Sequence, residues 1–173
     1  MCVTDWMQIY GPLIGRKLET VIWMPMTSDT PQLVADCKGA AFSFTGAVVL
    51  AFDDASEIFL TWTQVGENMV LAGGCEHDWL NHALDRVRVA PNEPWAGIES
   101  LTLKSVELFS ARFIDGERVV GIRHRVHANG LDRHFWIGTG GPDFIGDMDD
   151  LWVGVDLDPP NFADLIPVGV VGR

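Results

Sequence analysis

Residues 46–64 read GAVVLAFDDASEIFLTWTQ, and this stretch decides the fold of the chain. Two short apolar runs, 47–52 and 58–63, are rich in Val, Ile, Phe, Trp and Thr and flank a polar group that begins with Asp53 and Asp54. Apolar runs separated in this way by turn-forming residues predict a β-hairpin. Because both arms are apolar on more than one face, we expect the hairpin near the centre of a sheet and not at its edge.

Other short runs with strand-like alternation are spread along the chain. They cover 18–23, 41–44, 69–72, 106–114, 119–127, 131–137 and 151–155. The dipeptides Asp115-Gly116 and Asn129-Gly130 are typical of two-residue hairpin turns between such runs. Strands that follow one another through tight turns predict antiparallel meanders.

The best helix candidate is the segment 76–87. Apolar residues recur there at i, i+1, i+4, i+5 and i+8 from Trp79, which places them on one side of a helix. Asp78 near its start and Arg86 near its end suit the helix dipole, and Pro91 lies just beyond it.

These patterns together predict a single globular domain that spans 1–173 and belongs to the α+β class. Its structure would be mainly antiparallel β, arranged as meanders or as a partly closed barrel, with 76–87 as the one main helix. A shorter helical turn is expected at 5–10, before the first strand. From 143 to 167 the apolar pattern decays, so we expect an irregular arm there that wraps the sheet and contains the short strand at 151–155.

The charge of the chain limits the kinds of partner that we expect it to bind. Its formal net charge is −12, with 24 acidic and 12 basic residues. Binding to nucleic acid or to an anionic membrane requires clustered Lys and Arg, so neither is expected as a partner. A strongly acidic surface instead favours solubility and speeds association with a basic protein partner.

The cysteines indicate a reducing compartment. Cys2, Cys37 and Cys75 are too few and too irregularly spaced to form a disulfide framework. The first residues carry no basic region before an apolar run, as a secretory signal would, and no uncharged apolar stretch approaches the ~18 residues of a membrane span. We therefore expect a cytoplasmic protein, and no motif indicates a cofactor.

The segment 119–127 carries the most unusual polar residues of the chain. If it is extended, Arg123, Arg125 and His127 lie on one face, and Arg133 lies on the strand that follows. Arginine binds carboxylate and phosphate groups through its forked donors, so these four residues are a candidate site for an anionic ligand.

Each polar pattern also has a simpler interpretation. The Asp-rich segment 143–164 can lie across the arginine face and neutralise it, since sequestered charges are usually paired. His124 lies on the apolar face and fits a hydrogen-bonded core histidine better than a catalytic base. The group Cys75, His77 and His82 has the atoms of a zinc site but not the spacing, so no metal is predicted. No nucleophile and base can be paired from the sequence, so no catalytic residue is assigned.

The hairpin AVVLAFDDASEIFLTWT resembles a strand pair of small, acidic, cytoplasmic bacterial proteins, some of which resemble immunity proteins of polymorphic-toxin systems. The resemblance covers this hairpin, the size and the charge, and it assigns no functional residue. It implies a protein that binds and blocks a partner and does not catalyse. The candidate partner-binding residues are the acidic ones, Asp53, Asp54, Glu57, Asp147, Asp149 and Asp150. The alternative function is an anionic-ligand-binding β-domain, or an enzyme, that uses the arginine and histidine face. Oligomeric state stays open.

Overall fold

The computed structural model describes residues 1–25, 32–33, 41–66, 68–75, 87–88, 95–114, 116–139, 150–160 and 162–172. Within these ranges the chain forms one α-helix and twelve β-strands. In chain order they are α1 (Val3–Tyr10), β1 (Leu18–Pro25), β2 (Gln32–Leu33), β3 (Ala41–Phe44), β4 (Gly46–Phe52), β5 (Glu57–Val65), β6 (Asn68–Gly74), β7 (Val87–Arg88), β8 (Thr102–Phe113), β9 (Gly116–Ala128), β10 (Leu131–Thr139), β11 (Leu151–Val155) and β12 (Ile166–Gly172). None of the helical structure in these ranges is long and apolar enough to cross a bilayer.

The strands form two open sheets, and every described strand pair is antiparallel. The smaller sheet has the order β6-β5-β4-β1-β7 and the larger one β12-β8-β9-β10-β11-β3-β2. The predicted hairpin is β4–β5, and it occupies the interior of the smaller sheet as expected. The α+β class with mainly antiparallel β structure is confirmed. The described strands do not close into a barrel.

The predicted two-residue turn at Asn129 and Gly130 is confirmed, and it joins β9 to β10. Of the other predicted turn, Gly116 is the first residue of β9 and pairs with Phe113 of β8, whereas Asp115 lies outside the described residues. The φ angles of Asn129 and Gly130 are 51° and 81°, which is the left-handed backbone that a type I′ hairpin turn requires. These turns place β8, β9 and β10 side by side in the larger sheet.

The predicted main helix is not the helix that the structure describes. Residues 76–86 lie outside the described ranges, and Val87, at the predicted end, pairs with Trp23 of β1 as part of β7. The described helix is α1, which extends the predicted turn at 5–10 and passes into a 3-10 turn at Gly11–Leu13. Val87 is thus in a strand and not at the end of a helix, because pairing with β1 supplies hydrogen bonds to its backbone groups.

One hydrophobic core unites the two sheets and α1. Its buried side chains include Trp6 and Tyr10 from α1, Leu50 from β4, and Ile122 and Val126 from β9. Because each sheet buries one face against the same side chains, the two sheets pack face to face.

A second, smaller cluster lies on the opposite face of the larger sheet. It consists of Ala41, Phe109, Trp136 and Trp152, covered by Leu157, Phe162 and Leu165. The segment between β11 and β12 therefore wraps the outer face of the sheet, as the expected arm would. At the end of the arm begins an edge strand that the sequence pattern did not reveal, β12, with an irregular register between Pro167 and Gly169.

Glycines make room for Trp136 in this outer cluster. A Cβ atom at Gly121 would overlap the indole ring of Trp136, and one at Gly138 would lie 2.7 Å from its Nε1 atom. These two glycines face each other across the β9–β10 ladder, so the ring lies over a flat part of the sheet.

We expect Gly121→Ala to destabilise the protein by about 2–3 kcal/mol, because the added methyl group overpacks the site under Trp136. That loss corresponds to a fall in the melting temperature of roughly 4–12 °C for a chain of this size. The control is Gly11→Ala, since a Cβ there has no atom within 4 Å and Gly11 has an ordinary helical φ of −51°. Equal melting temperatures for the two variants would contradict this packing.

Candidate functional site

Strand β9 separates its side chains between the two faces of the larger sheet as the alternation predicts. Ile122, His124 and Val126 are buried in the core, while Arg123 and Arg125 point to the outer face. Arg123 and Arg125 therefore share the outer face of the sheet as predicted, and their partners decide what this face can bind.

Arg123 is the centre of an ion-pair network on this face. Its Nε donates to Oε2 of Glu107 at 2.6 Å, and its Nη1 donates to both carboxylate oxygens of Asp158 at 3.2 Å. Its guanidinium also lies 5.3 Å from the ring centre of Phe109 and 4.9 Å from that of Phe162. Only 17% of the side chain is exposed, so this cation is held by charge and by aromatic contact together.

The other predicted ligand-binding residues are paired as well. The Nε of Arg125 donates to Oε1 of Glu107 at 2.7 Å, and the Nε of Arg133 donates to Oδ2 of Asp156 at 2.9 Å. His127 Nδ1 lies 2.7 Å from a carboxylate oxygen of its neighbour across the hairpin, Asp132. Burial alone would raise the pKa of Glu107, but Arg125 and Arg123 hold it below its ordinary value.

The arginines of this face are therefore paired with carboxylates of the same chain, as the simpler interpretation expected. Asp156 and Asp158 come from the arm that was expected to cross this face, whereas Asp143, Asp147 and Asp149 lie outside the described residues. Sequence reasoning missed Glu107, which faces Arg123 across the β8–β9 ladder. The assignment of an anionic ligand to these residues stays a prediction.

We expect Arg123→Ala to destabilise the protein by about 2–3 kcal/mol, because it leaves Glu107 and Asp158 partly buried without their cation. Arg125→Ala is the matched control. That side chain is 46% exposed, and an exposed pair contributes at most about 1 kcal/mol. Chemical denaturation of the two variants measures the difference. A larger loss for Arg125→Ala would contradict the central position of Arg123.

A groove of about 590 Å³ lies beside this network. It is lined by Glu107, Phe109, Arg123, Phe162, Ala163, Leu165, Pro167, Gly169 and Val170. Of the four predicted ligand-binding residues, only Arg123 reaches it. Because Glu107 and Asp158 already bind that guanidinium, this groove offers an apolar surface and not an open anion site.

His124 is the buried polar group at the centre of the main core. Its Nε2 atom shares a hydrogen bond of 2.7 Å with the hydroxyl of Tyr10, and both residues are fully buried. Its ring stacks on Phe135 at 4.3 Å between ring centres. Burial lowers the pKa of His124 from 6.5 to about 3, so its ring is neutral at physiological pH. The interpretation as a hydrogen-bonded core histidine is confirmed.

The predicted acidic residues of the hairpin lie together at its turn. Asp53, Asp54 and Glu57 are all exposed. The Oδ1 of Asp54 accepts hydrogen bonds from the hydroxyl and the amide of Ser56, and these bonds lower its pKa. Its other oxygen lies 3.2 Å from Arg16, so part of this charge is neutralised within the chain.

The acidic residues predicted near the C terminus have a different setting. Asp147 and Asp149 lie outside the described residues. Asp150 accepts hydrogen bonds from the hydroxyls of Ser43 at 3.0 Å and Thr45 at 2.6 Å. Its carboxylate therefore fixes the start of β11 against β3, and it is not presented as a solvated partner-binding charge.

A second groove, of about 380 Å³, lies between α1 and the acidic turn of the β4–β5 hairpin. We call it the acidic groove. It is lined by Asp5, Gln8, Ile9, Pro12, Leu13, Ser56, Glu57, Ile58 and Cys75. The carboxylates of Asp5 and Glu57 are at exposed positions, whereas Leu13 and Ile58 are buried and form apolar lining. Sequence reasoning found Glu57 but missed Asp5, because nothing in the sequence shows that α1 packs beside the hairpin.

In the described part of the chain, no three His, Cys, Asp or Glu side chains converge as metal ligands. Cys75 is a free, exposed thiol in the acidic groove, whereas His77 and His82 lie outside the described residues.

No protein-family model, curated protein or solved structure matches this chain. The family resemblance of the hairpin therefore stays a prediction, and the function is argued from the geometry of the grooves and charges.

Proposed function

We propose that this protein is a non-enzymatic, acidic binding protein that masks a basic site on a partner protein. The proposal is based on the acidic groove. There, Asp5 and Glu57 flank an apolar floor next to the charged turn of Asp53 and Asp54. Long basic side chains have an apolar stem and a charged end, so a lysine or arginine of the partner fits both parts of this groove.

The balance of charge in the two candidate sites supports this choice. On the arginine face the three guanidiniums of Arg123, Arg125 and Arg133 are paired with carboxylates of this chain. At the hairpin turn Arg16 is the neighbouring cation that pairs with Asp54. A net charge of −12 attracts a basic partner over a distance of about 8 Å at physiological salt.

We propose that the protein acts in the cytoplasm, where immunity proteins of bacterial toxin systems would act. Cys2 and Cys75 are free and exposed thiols, which suits a reducing compartment. The resemblance of the β4–β5 hairpin to such acidic proteins supports an immunity-like role. The alternative, an anionic ligand on the arginine face, would have to displace carboxylates that this chain supplies itself.

We expect the variant with Asp53→Asn and Asp54→Asn to bind the basic partner about tenfold more weakly, because it removes two charges beside the groove. Native mass spectrometry of the protein isolated gently from its own cells identifies a stoichiometric partner and its excess of Lys and Arg. Titration of that purified partner at two salt concentrations then measures the affinity, which should fall as salt rises.

The matched control carries Asp132→Asn and Asp164→Asn, which change the net charge equally but lie on the larger sheet and in the arm. The proposal requires that this control bind as tightly as the native protein. A partner that binds all three proteins equally, a partner without excess positive charge, or the isolation of the chain without a stoichiometric protein partner would each count against the masking function.

A further inference from the structure

The helix α1 forms one wall of the acidic groove, and its buried side chains Trp6 and Tyr10 attach it to the core. Asp5, Gln8 and Ile9 of α1 line the groove. On its other side α1 buries Tyr10, whose hydroxyl lies 2.7 Å from Nε2 of His124 on β9. The groove and this hydrogen bond therefore share one short helix.

The side chains that face His124 include no carboxylate, so burial outweighs the backbone groups of Phe135 and Ile122 that favour a proton on its ring. From β10, Phe135 stacks on the ring, and from β8, Val106 is its partner in the ladder. From α1, Tyr10 makes the hydrogen bond and is the one other titratable group among the buried core residues that the structure describes. The Nδ1 atom of His124 has no hydrogen-bond partner among the described residues. An imidazolium ion here would be a buried charge with no carboxylate beside it.

We propose that acid releases α1 from the core through His124, and that this movement dismantles the acidic groove. The consequence for binding rests on the proposed function, whereas the release of α1 does not. The protein would thus hold its basic partner at neutral pH and let it go in acid.

The helix is the element that yields, because the two strands beside His124 are fixed more firmly. Strands β8 and β10 are held to β9 by long ladders of backbone hydrogen bonds, of which the one to β8 has two register shifts. By contrast, α1 is held through side chains, by the packing of Trp6 and Tyr10 and by the hydrogen bond of Tyr10, whose ring centre lies 5.4 Å from that of His124. Moving α1 therefore opens a path for water to Nε2 while the sheet stays intact.

The direction and size of the effect follow from proton linkage. Burial lowers the pKa of the ring to about 3 in the closed form, and full access of water would return it to the ordinary 6.5, which sets the upper limit of the effect. Above 6.5 neither form is protonated and the closed form keeps its full stability. As pH falls below 6.5 the open form gains protons first, so at pH 4.5 the ratio of open to closed protein is up to about 100-fold larger than at neutral pH.

Hydrogen exchange of the protein without any partner tests the release of α1. Exchange is followed by mass spectrometry from pH 7 to pH 4.5 and corrected for the intrinsic rate at each pH. We expect the protection of α1 to fall by up to about 100-fold, while β9 and β10 keep theirs. Unchanged protection of α1, or equal loss in α1 and in β9, would overturn the proposal.

Variants assign the effect to His124. His124→Gln removes the titrating ring, so α1 should keep its protection in acid. His127→Gln and His134→Gln are the matched controls, because those rings lie on the outer face, and they should behave as the native protein does. Acid release that persists in His124→Gln, or that vanishes in either control, would overturn the proposal.

A second variant keeps the test decisive if His124→Gln does not fold. Tyr10→Phe retains the titrating ring but removes its hydrogen bond, so the closed form is weaker and α1 should be released at a higher pH. An unshifted release would contradict the role of this pair. Because these measurements use the chain alone, they can succeed where no basic partner is found, and a partner can be found where they fail.

Discussion

The hydrogen bond between Tyr10 and His124 joins α1 to the middle of the larger sheet, in a region from which water is excluded. Leaving either group unpaired there would cost about 1–3 kcal/mol, so each fixes the position of the other. Together with the buried Trp6, the pair fixes the position of α1 on the core. It thereby also sets the wall of the acidic groove, which is formed by the exposed side of the same helix.

The two faces of the larger sheet accommodate buried polar groups in different ways. On its inner face the polar ring of His124 is neutral, and an uncharged hydroxyl pairs with its Nε2 atom. On its outer face the charges are kept and paired with one another around Arg123, with Phe109 and Phe162 beside the guanidinium. Since this network is close to neutral, the strongly negative net charge of the chain resides elsewhere, and the turn of Asp53 and Asp54 is one exposed part of it.

Local patterns sufficed to predict the longer strands, because alternation and turn residues act over a few neighbours. These local patterns could not predict the pairing of Glu107 with Arg123. An unbroken ladder from the predicted turn at Asp115 and Gly116 places Leu108 opposite Arg123. In the structure Phe113 pairs with Gly116, and a register shift between Phe109 and Ser110 then brings Glu107 opposite Arg123. The acidic groove was only partly predicted, for a similar reason. Its hairpin turn is formed by neighbouring residues, whereas its contact with α1 joins distant parts of the chain.

The edge strand β12 has a consequence for how the molecule behaves when it is crowded. A strand at the border of a sheet offers a row of free backbone groups to which another chain can add and start an aggregate. In β12, Pro167 has no amide hydrogen to offer, and the irregular register before Gly169 interrupts the repeat that a second strand would need to follow. This border of the sheet is thus a poor template for the addition of a second chain.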